Sequence, residues 1–234
     1  MSGVLEIRQV SVSYGGVDAV VAVGFSVHPG RLVGLIGPNG AGKTSLVDAI
    51  TGFTPYRGNV LLGEQPLDGL SPHRRAHRGL ARTWQAAELF DDLTVAENLA
   101  VAQRDESGAG SIDDILGKLG LAAVRDALPE QLSHGQRKLV GVGRALAASP
   151  AIVLLDEPAA GLDSSESDEL GRRLRAIADD GLGVLLIDHD MNLVLSVCDE
   201  IVVLDFGTTI AHGVPDDVRK DPRVVEAYLG AGHA

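Results

Sequence analysis

Apolar residues recur along this chain with two different periods, and the changes of period divide it into predicted strands and helices. In residues 5–14, apolar and polar positions alternate, apart from a phase slip at residues 8–9 that predicts a β-bulge. A two-glycine turn then leads into a second apolar stretch, Val17 to Val27. We interpret the two stretches as antiparallel strands.

Uninterrupted apolar runs follow at Leu32–Ile36, Ala151–Leu155 and Val184–Ile187. Short apolar runs that do not alternate are typical of parallel strands buried on both faces of a sheet. Such strands need helices on both sides to cover them. These runs therefore predict an α/β core.

Helix starts dominate the interval from about residue 88 to 148, which contains no convincing strand. Thr94, Ser111 and Ser133 are each followed three residues later by Glu, Asp or Gln, which is the spacing of a capping box. The first of these predicts a helix at 95–103. We therefore predict that about 88–148 is an α-helical subdomain inserted into an α/β core that also carries an antiparallel β subdomain. The predicted core comprises about residues 1–87 and 149–234.

A basic segment precedes this interval. Ser71 and Pro72 predict the start of a short helix that carries basic residues between His73 and Arg78. The run could contact phosphate or a partner, but a solvated helix face is the commoner explanation and the one we favour. Residues 80–84 then predict a strand that ends at Gln85.

The composition indicates a globular protein without a nucleic-acid partner. Of the 234 residues, 45% are hydrophobic and 22% are charged, and 20 basic against 32 acidic residues give a formal charge of −12. This charge opposes attraction to DNA, RNA or an anionic membrane surface. The N-terminus lacks the pattern of a secretory leader, and no run of 18 or more apolar residues occurs. We therefore expect a cytoplasmic chain without direct membrane insertion, which acts at a membrane through a partner.

A glycine-rich loop between the run at 32–36 and a predicted helix is the strongest chemical signal. Residues 37–44 match the G-x-x-x-x-G-K-[ST] phosphate cradle at every fixed position. Glycines let backbone N–H groups curl around a β-phosphate, Lys43 supplies a positive charge, and the Thr44 hydroxyl can ligate Mg²⁺. A structural turn is the alternative, but the strand before and the helix after favour nucleotide binding. The predicted nucleotide contacts here are Gly37, Pro38, Asn39, Gly40, Ala41, Gly42, Lys43, Thr44 and Ser45.

Polar residues at the ends of other predicted strands complete a candidate site for ATP hydrolysis. Asp156 follows an apolar run, where a carboxylate can hold Mg²⁺, and Glu157 is placed to orient and deprotonate a water. A solvated loop end is the alternative for this pair. A lone histidine such as His189 is more often structural, but open α/β sheets bind ligands at the carboxyl ends of their strands. We therefore favour a γ-phosphate contact for it, whereas Gln85 alone is a weak signal.

In order and spacing, these motifs resemble the series found in ATP-binding subunits of ABC transporters, over nearly the whole chain. The residues that carry the resemblance are 37–44, Gln85, Leu132-Ser-His-Gly-Gln136, Ile152–Glu157, Ala160-Gly-Leu-Asp163 and His189. The resemblance implies a P-loop NTPase core that binds ATP and Mg²⁺. It also matches Tyr14 to the aromatic residue that stacks on adenine, although an ordinary strand aromatic is the alternative.

The same resemblance implies the catalytic roles. Glu157 would be the general base, His189 would hold the γ-phosphate, and Gln85 would sense Mg²⁺ or the attacking water. The implied catalytic residues are Lys43, Gln85, Glu157 and His189, and the implied Mg²⁺ ligands are Thr44, Gln85 and Asp156.

A second group of matched residues implies a dimer. Ser133, Gly135 and Gln136 would face ATP bound to the opposite subunit, and Asp163 would communicate across that interface. The site would then be complete only in a homodimer, or in a heterodimer with a related ATP-binding subunit.

Finer features resemble the subunits of branched-chain amino acid importers. These features lie at 71–74, 79–85, 93–98, 159–161, 189–191 and 221–230. Three departures bear on this assignment: His134 replaces a commoner glycine, Trp84 stands where phenylalanine is usual, and the loop at 104–111 is shorter than in relatives.

We therefore expect an ATPase subunit, held on the inner face of the cell membrane by transmembrane permease subunits. It would power import of branched-chain or related amino acids or amides. A soluble ABC ATPase that works as a mechanical switch is the main alternative. A small-molecule kinase would leave residues 132–136 and Asp163 unexplained, and a pure binding module would leave Glu157 and His189 unexplained.

Overall fold

The fold consists of two sheets with helices packed around them, and the computed structural model describes residues 3–84, 89–103 and 111–230. The strands are β1 (Leu5–Tyr14), β2 (Val17–Val27), β3 (Leu32–Ile36), β4 (Arg57–Leu62), β5 (Gln65–Pro66), β6 (Leu80–Arg82), β7 (Ile152–Asp156), β8 (Gly183–Ile187), β9 (Glu200–Asp205) and β10 (Thr208–Gly213). The α-helices are α1 (Lys43–Thr51), α2 (Pro72–His77), α3 (Val95–Ala100), α4 (Ile112–Lys118), α5 (His134–Ala147), α6 (Ser164–Asp179), α7 (Met191–Val197), α8 (Pro215–Val218) and α9 (Pro222–Gly230). Short 3₁₀-helices lie at Ala122–Val124 and Pro129–Gln131.

A central sheet contains six strands in the order β10-β9-β3-β8-β7-β6. Neighbouring strands from β9 to β6 run parallel, and β10 is antiparallel to β9. Every residue of β3 and β8 is buried, because the sheet is covered on both faces. This explains why these strands are apolar runs rather than alternating sequences. The predicted α/β fold is confirmed.

The register of the central strands brings three chain segments to one edge of the sheet. Ile187, the last residue of β8, pairs with Leu35 of β3 on one side and with Asp156 of β7 on the other. The segments that follow these three strands therefore begin at the same level. This edge carries most of the polar residues that the sequence singled out.

A second sheet has the order β2-β1-β4-β5 and is antiparallel. The predicted bulge at residues 8–9 is confirmed, because the β1–β2 pairing shifts between Ile7 and Val10 and Gln9 has a φ of 51°. Both Ile7 and Val10 are buried. The bulge thus keeps apolar residues on the core face although the sequence alternation slips.

The apolar core lies on both faces of the central sheet. Val33 and Leu35 pack in a cluster with the second sheet and with α1 residues such as Leu46. Leu32 and Ile36, on the opposite face, pack in a cluster with helical residues that include Val140 of α5, Leu170 of α6 and Leu193 of α7. The strands that carry the site are consequently held from both sides.

The predicted helix starts are confirmed at Thr94, Ser111 and Ser133, where each side chain accepts a hydrogen bond from the amide three residues later. The helix predicted at 95–103 is shorter and ends at Ala100. Within the described ranges, no helix has both the length and the apolar character needed to cross a bilayer.

The strand predicted at 80–84 is also shorter, because β6 ends at Arg82. The Asp156 amide of the neighbouring strand donates to the Thr83 hydroxyl at 3.1 Å. A side-chain oxygen thus replaces the next main-chain acceptor, and the backbone ladder stops.

The interpretation of the basic helix α2 as a solvated face is wrong for Arg75, which is buried. Its guanidinium donates to the carbonyl oxygens of Ala49 at 2.9 Å and Ile50 at 2.7 Å, near the end of α1. A third bond runs to the Leu70 carbonyl at 3.1 Å. A cation that pairs with the last carbonyls of a helix satisfies acceptors that lack a partner within the helix.

The substitution Arg75→Ala should lower the free energy of unfolding by about 1–3 kcal/mol, because carbonyl groups at the end of α1 lose the guanidinium as a donor. Arg74→Ala is the matched control, since Arg74 is exposed on the same helix, and should change stability by no more than about 0.5 kcal/mol. Urea unfolding followed by circular dichroism measures both. Equal effects of the two substitutions would contradict the capping role of Arg75.

Candidate active site

The glycine-rich loop connects β3 to α1, and neighbouring backbone leaves no room for a side chain at Gly37 or Gly42. A Cβ at Gly37 would lie 2.1 Å from the Leu204 carbonyl oxygen, and one at Gly42 would lie 2.3 Å from that of Ala19. Gly42 also has a φ of 100°, which favours glycine. The sequence requirement for glycine at these two positions thus has a steric cause.

A backbone hydrogen bond ties this loop to the turn between β9 and β10. The Gly207 amide donates to the Ala41 carbonyl at 3.0 Å, and the Gly207 carbonyl accepts from the Val21 amide at 2.8 Å. The loop is therefore bound to both sheets.

The amino end of α1 is the natural anion site of the loop. No side chain caps this end, and the Leu46 amide is the one that bonds back to Gly42, at 2.9 Å. The amides of Lys43, Thr44 and Ser45 lie in the first turn, where helix N–H groups have no partner within the helix. Such N–H groups and the helix dipole together attract phosphate.

Lys43 lies folded across the loop and is almost completely buried. Its Nζ donates to the carbonyl oxygens of Gly37 at 2.6 Å and Pro38 at 3.1 Å. Burial lowers the pKa of Lys43, whereas the negative charges of Glu157 and Asp156 act in the opposite direction. A polyphosphate in the loop would give the lysine charged acceptors in place of carbonyls.

The residues present fit a magnesium ion bound together with a nucleotide. Mg²⁺ in such sites takes one or two protein ligands and completes its shell with phosphate oxygens and water. The exposed Thr44 hydroxyl and the Asp156 carboxylate at the end of β7 are donors of this kind. No group of three or more His, Cys, Asp or Glu side chains within the described ranges could hold an ion by itself.

Glu157 and His189 come together at the carboxyl edge of the sheet. His189 Nδ1 lies 3.9 Å from Glu157 Oε1, and the histidine side chain is 60% exposed. Glu157 has a φ of 47°, in the left-handed region that non-glycine residues seldom adopt. Its amide donates to the Ile187 carbonyl at 2.8 Å. This bond fixes the backbone position of Glu157 at the end of β7.

Asp188 connects the two segments that carry Glu157 and His189. It was not identified as a site residue from the sequence. The side chain is fully buried, and its Oδ1 accepts from the amides of His189 at 2.8 Å and Asp190 at 3.0 Å. Its Oδ2 accepts from the Ala159 amide at 3.2 Å. One carboxylate thus joins the segment after β8 to the segment after β7.

The tip of α5 carries the predicted second group of residues. The Ser133 hydroxyl accepts from the Gln136 amide at 3.2 Å, and Gln136 Oε1 accepts from the Ser133 amide at 2.9 Å. Gly135 is buried, and a Cβ there would lie 3.1 Å from Glu166 Oε1. Ser133 remains exposed at the start of α5. Gly135 is buried against Glu166, and the Gln136 side-chain oxygen is bonded to the Ser133 amide.

His134 and Asp163 connect this tip to the amino end of α6. His134 Nε2 lies 3.3 Å from the Ala160 carbonyl oxygen. Asp163 is exposed and caps α6, because its Oδ1 accepts from the Glu166 amide at 2.9 Å. The two motifs therefore form one surface.

The remaining predicted residues are Tyr14 and Gln85. Tyr14 lies at the end of β1 with 47% of its surface exposed, and its hydroxyl is 3.1 Å from Thr54 Oγ1. An exposed ring at a strand end can stack on a base. Gln85 lies outside the described residues.

Comparisons with known proteins show which family this chain resembles. The sequence model of the ABC transporter family matches residues 20–160, and a model described as branched-chain amino acid ATP-binding cassette transporter matches residues 208–234. The chain is 35% identical to the high-affinity branched-chain amino acid transport ATP-binding protein LivG of Escherichia coli, over 97% of each chain. It is 34% identical to the protein BraF of Pseudomonas aeruginosa, which bears the same description, over 97% of this chain and 98% of that one.

Other relatives are similar to the same extent. The lipopolysaccharide export system ATP-binding protein LptB of Escherichia coli is 37% identical over 97% of each chain. Among solved structures, the ADP conformation of an ATP-binding cassette from an ABC transporter superposes with a TM-score of 0.89 at 30% identity. That match covers 98% of this chain and 100% of the other.

Proposed function

This chain belongs to the ABC transporter family, as an ATP-binding subunit that hydrolyses ATP, and we propose that it powers import of branched-chain or related amino acids or amides. The observation that carries the choice of solute is the match of residues 208–234 to the branched-chain amino acid cassette model. The similarity to LivG and BraF over nearly the whole chain supports it.

The proposed reaction is in-line attack of water on the γ-phosphate of ATP at the carboxyl edge of the central sheet. Glu157 orients the water and accepts its proton, and His189 binds the γ-phosphate beside it. Lys43 and the amides at the start of α1 hold the β- and γ-phosphates. Thr44 and Asp156 would hold Mg²⁺, which would supply positive charge to neutralise the phosphates. Positioning and charge neutralisation are then the main catalytic terms.

A dimer completes the proposed site. Ser133 at the tip of α5 and Asp163 at the start of α6 are both exposed and belong to one surface. The N-terminal end of a helix attracts phosphate groups. We propose that this surface closes on ATP held by the glycine-rich loop of a second subunit, either identical or related.

A groove of about 1020 Å³ beside β6 is the proposed docking site for a transmembrane permease. Its lining includes three aromatic residues that are about half exposed, Phe53, Trp84 and Phe90. The rings of Phe53 and Trp84 meet edge to face with centroids 5.1 Å apart. Exposed aromatic residues that surround a concavity are typical of protein interfaces.

Export of lipopolysaccharide is the second candidate function, because the identity to LptB is 37% over the same share of the chain. Whole-chain identity does not separate this candidate from import. The match of the C-terminal residues favours amino-acid import.

The substitution Glu157→Gln should retain ATP binding and reduce phosphate release by about 10²- to 10⁴-fold, because the amide cannot accept the proton of the attacking water. Release of phosphate and binding of a fluorescent ATP analogue measure the two properties. Glu64→Gln, at an exposed turn between β4 and β5, is the control and should match the wild type. Unchanged turnover in Glu157→Gln would refute the assigned base.

The substitution Ser133→Arg should block dimer closure, because the long side chain occupies the space next to the bound triphosphate. In a Glu157→Gln background with Mg-ATP, gel filtration should show an apparent dimer Kd at least about tenfold weaker, while the nucleotide affinity of the monomer changes little. Ser111→Arg removes a similar capping box at α4 and controls for the lost cap. Dimerisation equal to that of this control would contradict the proposed interface.

The solute is tested by purifying the tagged chain from membranes with its bound permease and reconstituting the complex in vesicles. We expect ATP-dependent uptake of radiolabelled leucine that unlabelled isoleucine and valine reduce. Phe53→Ala should reduce the permease recovered, whereas Phe206→Ala should not, because Phe206 is 87% exposed but lies outside the groove lining. Extraction of lipopolysaccharide without amino-acid uptake would favour the second candidate.

A further inference from the structure

Arg82 is a charged residue in a short strand, and its side chain is only 7% exposed. Its Nη1 donates to Asp48 Oδ1 at 2.6 Å, and its Nη2 donates to Asp156 Oδ2 at 2.8 Å. The planar guanidinium fork is suited to holding two acceptors in a fixed relation. One buried cation therefore joins α1 to the end of β7.

We propose that Arg82 is a positioning residue for the magnesium ion, because it fixes the distance and the orientation between the two protein groups that hold the ion. This inference rests on the proposed roles of Thr44 and Asp156 as ligands. It concerns a residue that touches neither the metal nor the nucleotide.

On one side, Arg82 holds the helix that carries Thr44. Thr44 and Asp48 are one turn apart on α1, so they lie on the same side of the helix. Fixing Asp48 therefore fixes the segment that carries the Thr44 hydroxyl. Arg82 Nη1 is also 3.3 Å from the Thr51 hydroxyl, further along the same helix. The Arg82 guanidinium thus anchors α1 at two positions.

On the other side, Arg82 restrains the Asp156 carboxylate. A hydrogen bond to one of its oxygens restricts rotation about χ2, and a single carboxylate oxygen suffices for a metal ligand. Groups that orient a metal ligand in this way alter metal affinity by about 10- to 100-fold when they are removed. The Arg82–Asp156 bond is a contact of that type.

The surroundings hold Arg82 in this position. Its guanidinium lies 4.3 Å from the centroid of the Trp84 ring, in a cation–π contact. Its Nε is buried and makes no hydrogen bond within the described part of the chain. A buried donor left unpaired is unfavourable, so Nε does not hold the side chain in place. The bonds to the two carboxylates and the contact with the Trp84 ring must therefore do so.

Charge and positioning predict opposite effects for one substitution. If Arg82 only balanced negative charge, Arg82→Met would strengthen binding of a divalent cation, since it removes a nearby positive charge. If Arg82 positions the ligands, the same substitution weakens metal binding. Arg82→Lys keeps the charge but cannot hold both carboxylates in the fork geometry.

The experiment measures Mn²⁺ binding in the presence of ADP by electron paramagnetic resonance, together with the Mg²⁺ dependence of ATP hydrolysis. We expect the metal Kd to rise about 10- to 100-fold in Arg82→Met and less in Arg82→Lys. Metal-free affinity for ADP should stay within about threefold of the wild-type value. Arg78→Met, on the exposed end of the neighbouring helix, is the control and should bind metal like the wild type.

The substitution Asp48→Asn tests the arm that reaches α1. It should weaken metal binding by itself and add little in the Arg82→Met background, because both changes break the same connection. Thermal unfolding of each variant without ligand separates a folding defect from a metal defect. Tighter or unchanged Mn²⁺ binding in a folded Arg82→Met protein would overturn the inference. Absence of Mg²⁺-dependent hydrolysis in the wild type would instead overturn the proposed function.

Discussion

Backbone pairing among β3, β8 and β7 determines where the polar groups of the site lie. Ile187 pairs with both Leu35 and Asp156, so a shift of one residue in either ladder would turn each side chain to the opposite face. Close packing on both faces opposes such a shift, because a slip would place side chains of different size in each buried position. The chemistry at the edge therefore depends on packing that lies beneath it.

Two arginines with little-exposed side chains bind helix α1 at different positions along its length. Arg75 binds carbonyl groups near its last turn, and Arg82 binds Asp48 and Thr51 on its side. Both guanidiniums act on the helix whose first turn forms part of the phosphate cradle. The position of that turn thus depends on charged groups as well as on the apolar core, in a chain whose formal charge is −12.

Local sequence signals predicted the parts of the fold that local rules govern. The bulge at residues 8–9, the capping boxes and the glycine-rich loop each follow from the properties of a few neighbouring residues. Hydrogen bonds of Arg75, Arg82 and Asp188 reach partners 25 to 74 positions away in the sequence. The periodic pattern of apolar residues in the sequence carries no information about such distant partners. An arginine inside a short predicted strand was the available signal for Arg82, since charge within a buried element usually requires a specific counterion.

The left-handed backbone of Glu157 has a consequence for the evolution of this protein. A non-glycine residue in that conformation costs about 1–3 kcal/mol of folding free energy, and glycine would adopt it with little strain. Selection for thermodynamic robustness alone would thus favour glycine at position 157, while the proposed reaction requires a carboxylate there. Under the proposed reaction, stability and catalytic activity are opposed at this strand end, and the glutamate serves activity at a cost in stability.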